Sequence, residues 1–179
     1  MQLQLLIHEE ITMQSQTPGQ IDAELRATLD RLAAFPSQLR QRLQGLNEAA
    51  LRFKPAPTEW SIVQIAGHYG DIEALWAGRI RQMLAAEQPA FPNFDPDALV
   101  EQQRYQEKQV GALLAAFAER REELVEFARG LRPAQMERGG IHAVRGPVTV
   151  GSALVILSGH DQMHLRQIEA NLEQLAAQR

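Results

Sequence analysis

The sequence predicts an all-α chain: four long amphipathic helices in one four-helix bundle, with a long second-to-third helix crossover. Three observations carry this. Apolar residues recur at three- and four-residue intervals through most of the chain, the period of a helix with one buried face. Cap residues stand at the head of the periodic stretches. Clusters of proline and glycine fall between those stretches.

Thr17-Pro18-Gly19-Gln20 reads as the first helix start, with Thr as cap, Pro in the first turn and Gln three beyond the cap. Ile21, Leu25, Leu29, Leu32, Leu39, Leu43 and Leu46 then mark its inner stripe, and Pro36 is expected to kink or split it. Residues 54–59 hold two prolines and form a connector. Ser61 caps the second helix, Gln64 completes a capping box, and Trp60 can staple onto Ile65. That helix is expected to reach about Ala86, on a stripe of Ile65, His68 or Tyr69, Ile72, Leu75 or Trp76, Ile80 and Met83. Pro89, Pro92 and Pro96 mark a stiff loop, and Asp95-Pro96 opens the third helix, expected to run to Gly130. A short turn at 132–137 and a glycine-flanked loop at 139–147, with room for a brief extended stretch, lead to Thr149. Thr149 caps the last helix, whose stripe is Leu154, Leu157, His160, His164, Ile168, Leu172 and Leu175. Residues 1–16 are read as a loose N-terminal arm and 17–179 as the bundle, with Met13 an alternative start.

Composition narrows the chemistry. The chain has 179 residues, 45% hydrophobic and 22% charged, which suits one globular domain. Its net charge of −4 argues against a nucleic-acid binder. The apolar run at the start, Leu3 to Ile7, is too short for a signal peptide and lacks basic residues before it. No apolar run approaches the roughly 20 residues of a membrane span, so the cytoplasm is the expected compartment. There is no cysteine. Disulfides, thiolate metal sites and a cysteine nucleophile are excluded together, and any transition metal must be held by nitrogen and oxygen.

Five histidines remain: His8, His68, His142, His160 and His164. His160 and His164 lie four apart on the apolar stripe, so both rings can point at one ion. The other reading of such a pair is two core hydrogen-bonders. His68, on the inner stripe of a different helix, is the candidate third ligand. Three histidines with open positions make a catalytic type of site rather than a closed one, and an octahedral ion would add waters. The motif is not that of the zincins, because Asp161 stands where their glutamate would be. Asp161 and Asp71 are read as solvated charges in preference to partners of the ligands, and Glu73 as lying off the seam. Arg120-Arg121 and Arg179 are read as solvated face, Arg166 as a surface ion pair with contact to an anionic substrate as the sharper alternative, Tyr69 as buried, and Trp60 and Trp76 as core or staple. His8 is a tail residue. His142 is read as a surface loop residue, with closure over a site as the sharper alternative.

Two segments, taken together, resemble a known family. Trp60-Ser61-Ile62-Val63-Gln64-Ile65-Ala66-Gly67-His68, with Gly70-Asp71-Ile72-Glu73 behind it, is similar to the W-S-x-x-E/Q-I-x-x-H-L-x-D-x-E segment of the DinB/YfiT-like superfamily. His160-Asp161-Gln162-Met163-His164-Leu165-Arg166-Gln167-Ile168 resembles its H-D-x-x-H-x-x-Q-I segment, and 141–150 the stretch before it. Tyr69 departs from the family's usual leucine. The resemblance spans about 17–177. It implies an up-down-down-up bundle, a divalent metal, often nickel or zinc, at His68, His160 and His164, and often a homodimer. Relatives of this kind include transferases and isomerases that use low-molecular-weight thiols, and metal-dependent hydrolases. The expected function is thus a metal-dependent thiol S-transferase or hydrolase on a small molecule, using Ni2+ or Zn2+, with Fe2+ or Mn2+ as further options. A stress-induced protein that binds metal or a small molecule without turnover is the alternative.

Overall fold

The computed structural model describes residues 18–178. The arm 1–16 with His8 and Met13, the Thr17 cap and Arg179 lie outside the described residues, and of Ile21 only the backbone is described. Four long helices dominate: α1 (Pro18–Leu43), α3 (Ile62–Ala85), α5 (Val110–Arg129) and α7 (Val150–Ala177). Between them lie α2 (Glu48–Arg52), α4 (Pro96–Gln102), a 3-10 turn at Tyr105–Glu107, and α6 (Pro133–Met136). Three short strands, β1 (Ala90–Phe91), β2 (Gly139–His142) and β3 (Gly146–Thr149), complete the chain.

The caps form as the sequence requires. Ser61 Oγ accepts from the Gln64 amide and Gln64 Oε1 accepts from the Ser61 amide. Thr149 and Ser152 make the same reciprocal pair at the head of α7.

Helix directions follow from the core. In one cluster, Leu29 and Leu32 of α1 meet Ile72 to Met83 of α3, Leu124 to Ala128 of α5 and Val150 to Leu157 of α7. In the other, Phe35 to Leu43 of α1 meet Ile62 to Tyr69, Leu114 and Phe117, and Ile168. Thus α1 and α7 run one way and α3 and α5 the other, which is up-down-down-up. Both α1 and α3 pack against α5 and α7. Because α3 and α5 are parallel, the chain must travel back along the bundle between them.

That crossover corrects one expectation. The third helix does not run unbroken from Pro96 to Gly130. It stops after α4, turns through Arg104 at φ 52°, and restarts at Val110. The break lets the Tyr105 ring lie flat on the α3 backbone at Gly67, with its hydroxyl donating to Asp71 Oδ2 at 2.7 Å. Asp71 is therefore half-buried and paired, not a freely solvated charge. A Cβ at Gly67 would overlap the Tyr105 ring. Gly67→Ala should cost about 1–3 kcal/mol, read from the urea midpoint.

Nor is α1 split at Pro36. Proline has no amide hydrogen to offer the Leu32 carbonyl four residues back. Arg121 Nη1 supplies that bond instead, at 3.2 Å.

The 139–147 loop contains more order than expected. The strands form one sheet in the order β1-β2-β3, parallel between β1 and β2 and antiparallel between β2 and β3. Gly140 is required there, since a Cβ would meet the Phe91 ring and the Pro89 carbonyl. The same sheet corrects the surface reading of His142. Its ring is buried and stacked on Trp76 at 6.0 Å, and its Nδ1 accepts from the amides of Val144 and Arg145.

Candidate metal centre

The helix periodicities bring His68 of α3 and His160 and His164 of α7 to one point. One ring nitrogen from each can be chosen so that all three lie within 4.8 Å of one another. His68 Nε2 and His160 Nε2 are 3.0 Å apart. Ion–nitrogen bonds of about 2.0–2.1 Å place two ligand nitrogens about 3–3.4 Å apart, so the spacing suits a shared ion. His164 Nδ1 donates to Gln167 Oε1 at 2.7 Å, which leaves its Nε2 lone pair for the centre. This bond fixes the ring, and Gln167→Ala should weaken zinc binding about 10–100-fold in a competition titration.

Burial makes the rings good ligands. Desolvation, helped by His164, brings His68 down to about 3. Desolvation and then His164, His68, Arg121 and Arg145 bring His160 down to about 2. His164 is lowered by burial against the opposing bond to Gln167. All three are neutral at pH 7, with lone pairs ready. The donor set, three neutral imidazoles with no thiolate, fits a borderline divalent ion. His68 Nδ1 is buried without a hydrogen-bond partner, under the indole of Trp60 at 4.7 Å between ring centroids.

The same shifts set the acid stability of the metal-free protein. Between about 3 and 6.5, His68 binds fewer protons folded than unfolded. Stability is therefore full above about pH 6.5 and lost as the pH falls. Asp161 works the other way, because burial raises its carboxyl from 3.8 to about 6 against the pull of Arg121. Four lowered imidazoles, His142 included, outweigh the two raised carboxyls of Asp161 and Asp71. The metal-free melting temperature should fall between pH 7 and pH 4, and a flat profile would contradict the burial of the rings.

Several residues around the centre differ from their sequence reading. Trp60 does more than staple: its indole stacks on His164 at 5.8 Å and 14°. Its Nε1 donates to Asp97 Oδ1 at 2.8 Å, and its carbonyl accepts from Asn171. Tyr69 is buried as expected, and its hydroxyl donates to the Asp161 carbonyl at 3.1 Å. Arg120 and Arg166 are exposed.

Arg121, Asp161 and Glu73 are the main corrections. Arg121 is 1% exposed, between Asp161 at 2% and Glu73 at 1%. Its guanidinium bonds both Asp161 oxygens at 2.6 and 3.1 Å, and donates twice to Glu73 Oε2 at 2.9 and 2.7 Å. Neither carboxylate is solvated, Glu73 is on the seam, and this arginine belongs to the core. With the bond to Leu32, one side chain ties all four long helices directly behind His160.

The comparisons agree with this architecture. A Bacillus subtilis protein, YfiT, described as a probable metal-dependent hydrolase with an unusual four-helix bundle topology, superposes with a TM-score of 0.81 over 95% of both chains at 22% identity. A protein of Oceanobacillus iheyensis carrying the name "Putative metal-dependent hydrolase" is 23% identical over 160 residues, 88% of this chain and 91% of that one. Among the described residues no helix is long and apolar enough to cross a membrane. The DinB superfamily model matches residues 19–168, nearly the whole bundle and all three centre histidines, and the chain belongs to that superfamily.

Proposed function

We propose that this protein is a metal-dependent enzyme acting on a small molecule, with His68, His160 and His164 holding one divalent ion. Nickel or zinc is the first choice for the donor set, with iron(II) or manganese(II) as further options. The observation that carries the reading is the convergence of three desolvated, neutral imidazoles from two helices. When bound, such an ion would supply Lewis acidity, lowering the pKa of a water or thiol toward neutral.

The chain's own groups hold and orient. Gln167 sets the His164 ring, Trp60 covers His68 and His164, and the Arg121 network fixes the turn of α7 that carries His160. With water as nucleophile the reaction is a hydrolysis, in line with the names of the relatives. With a thiol it is an S-transfer, and the sulfur must come with the substrate because the chain has no cysteine. A homodimer belongs to the same reading: Val155 and Met163, on α7, expose 54% and 48% of their surface.

A binding protein without turnover is the second reading. It is favoured by Asp161, the carboxylate next to His160 in the chain, being committed to Arg121. Metal analysis of the native protein, followed by a screen of the loaded protein with ester, amide and thiol–electrophile pairs, decides between them. Turnover above that of the free ion, lost in His160→Ala, supports the enzyme. Stoichiometric metal without turnover supports the binder.

A further inference from the structure

A second polar cluster sits about two turns beyond His68 on α3, around Trp76. The His142 ring stacks on the Trp76 indole at 6.0 Å and 17°, and the Arg79 guanidinium lies over the same indole at 5.0 Å. Arg145, in the turn between β2 and β3, is tied to them through its amide, which donates to His142 Nδ1 at 3.3 Å. Arg79 and His142 are each 5% exposed. A buried arginine ordinarily has a carboxylate beside it, as Arg121 has two. Among the described residues, no carboxylate lies within ion-pair distance of Arg79 or Arg145. The faces of Trp76 and Phe91 attract the Arg79 guanidinium but carry no net charge to balance it. Of its five N–H donors, one bonds the Pro92 carbonyl, at 2.7 Å.

His142 is set up as a donor. Its Nδ1 accepts from two amides, so the neutral ring carries its proton on Nε2. Nε2 has no partner among the described residues and is reachable by solvent, as are the free nitrogens of Arg79. Burial, then the charges of Arg79 and Arg145, hold the His142 pKa below the ordinary histidine value, and burial, then Arg145, lowers that of Arg79. Every charge acting on the two is positive. The charge of Arg145 also acts on His160, which places the cluster beside the histidine centre. A divalent ion on the three histidines would add positive charge to the same region. We propose that Arg79, Arg145 and the His142 Nε2–H bind an oxyanion, a carboxylate or a phosphate, on a small substrate whose other end reaches the histidine centre. The planar fork of arginine suits either group. The substrate class is then a small organic acid or phosphate ester. The inference rests on the function proposed above, because it takes the histidine centre as the reacting end of the same site.

The test uses propionate, methyl phosphate and propylammonium. Each is titrated into the full-length protein freed of metal, so that no ion can capture the anion, while the Trp76 indole N–H resonance is followed by 1H–15N NMR. Trp60→Phe assigns the signal. At least one anion should move it along a saturating millimolar curve, and propylammonium should not. The tighter of the two anions names the oxyanion. Arg145 is exposed, so its replacement leaves the core intact. Arg145→Gln should raise the apparent Kd about three- to tenfold, the worth of one screened charge at contact distance. Arg40→Gln removes the same charge from the exposed face of α1, toward its far end, and should leave the Kd unchanged. No response to either anion, an equal response to propylammonium, or equal Kd values in Arg145→Gln and Arg40→Gln overturns the proposal. Zinc binding is measured separately. If zinc binds and the anions do not, the oxyanion inference fails alone. If an anion is selected and zinc does not bind, the metal reading fails instead.

Discussion

Arg121→Met is expected to lower the unfolding free energy by about 3–5 kcal/mol, a large part of the 5–15 kcal/mol that holds a domain of this kind folded. The arginine is 1% exposed, and its five bonds reach three helices besides its own. Methionine fills similar volume and satisfies none of them. Two buried carboxylates would face each other, and the Leu32 carbonyl that Pro36 leaves without an amide would lose its substitute donor. Glu73 Oε1 already has no partner, so that oxygen offers no slack. Lysine should not rescue, because a point charge cannot match two carboxylates and a carbonyl in one plane. The pH dependence gives a second sign. Without Arg121 nothing opposes the rise that burial gives the Asp161 carboxyl, so the deficit of the variant against the wild type should narrow as the pH falls. Urea denaturation at pH 7 and pH 5 reads both effects. A loss under about 1 kcal/mol, or a deficit that does not narrow in acid, would show that the ion group is not the hub.

The sequence made most of the bundle legible because its signals are local. Capping boxes at Ser61 and Thr149 and the stripes of α3 and α7 depend on spacing alone, and they place His68, His160 and His164 inward without reference to any other helix. What it hid depends on partners far along the chain. Arg121 reads as one more charge in an Arg-Arg-Glu-Glu run, and Glu73 and Asp161 as ordinary acids, until α3, α5 and α7 meet. One signal was available: with Ile72 and Trp76 inward, and His160 and His164 inward, Glu73 and Asp161 sit one residue beside the seam, where long neighbours on α5 can reach. The break of the third helix was hidden for the same reason. Helical periodicity continues through residues 99–114, and only the cavity over Gly67 explains why Tyr105 pulls the chain away. Sheet pairing for His142 required Phe91, 51 positions upstream, to arrive beside it.

His160→Ala and His164→Ala are each expected to reduce bound metal from one ion per chain to less than a tenth, by mass spectrometry on protein purified without chelators. Either change leaves two imidazoles, and Asp161, the carboxylate one turn before His164, is committed to Arg121. The ion is also a cross-link, since His68 comes from α3 and the pair from α7. Zinc at 1,000 times its Kd should stabilise the wild type by about 4 kcal/mol. For a chain of this length that is roughly 8–16 °C in melting temperature. His68→Ala separates the two roles. It keeps the His160–His164 pair, so weak binding should persist at high zinc, but an ion held by one helix no longer joins α3 to α7. The remaining pair, one turn apart on one helix, can also take zinc on the unfolded chain, so the thermal shift should appear only at higher zinc and stay smaller than in the wild type. A full shift in His68→Ala at the zinc concentration that gives it in the wild type would remove α3 from the centre, and stoichiometric metal in both α7 variants would remove the centre itself.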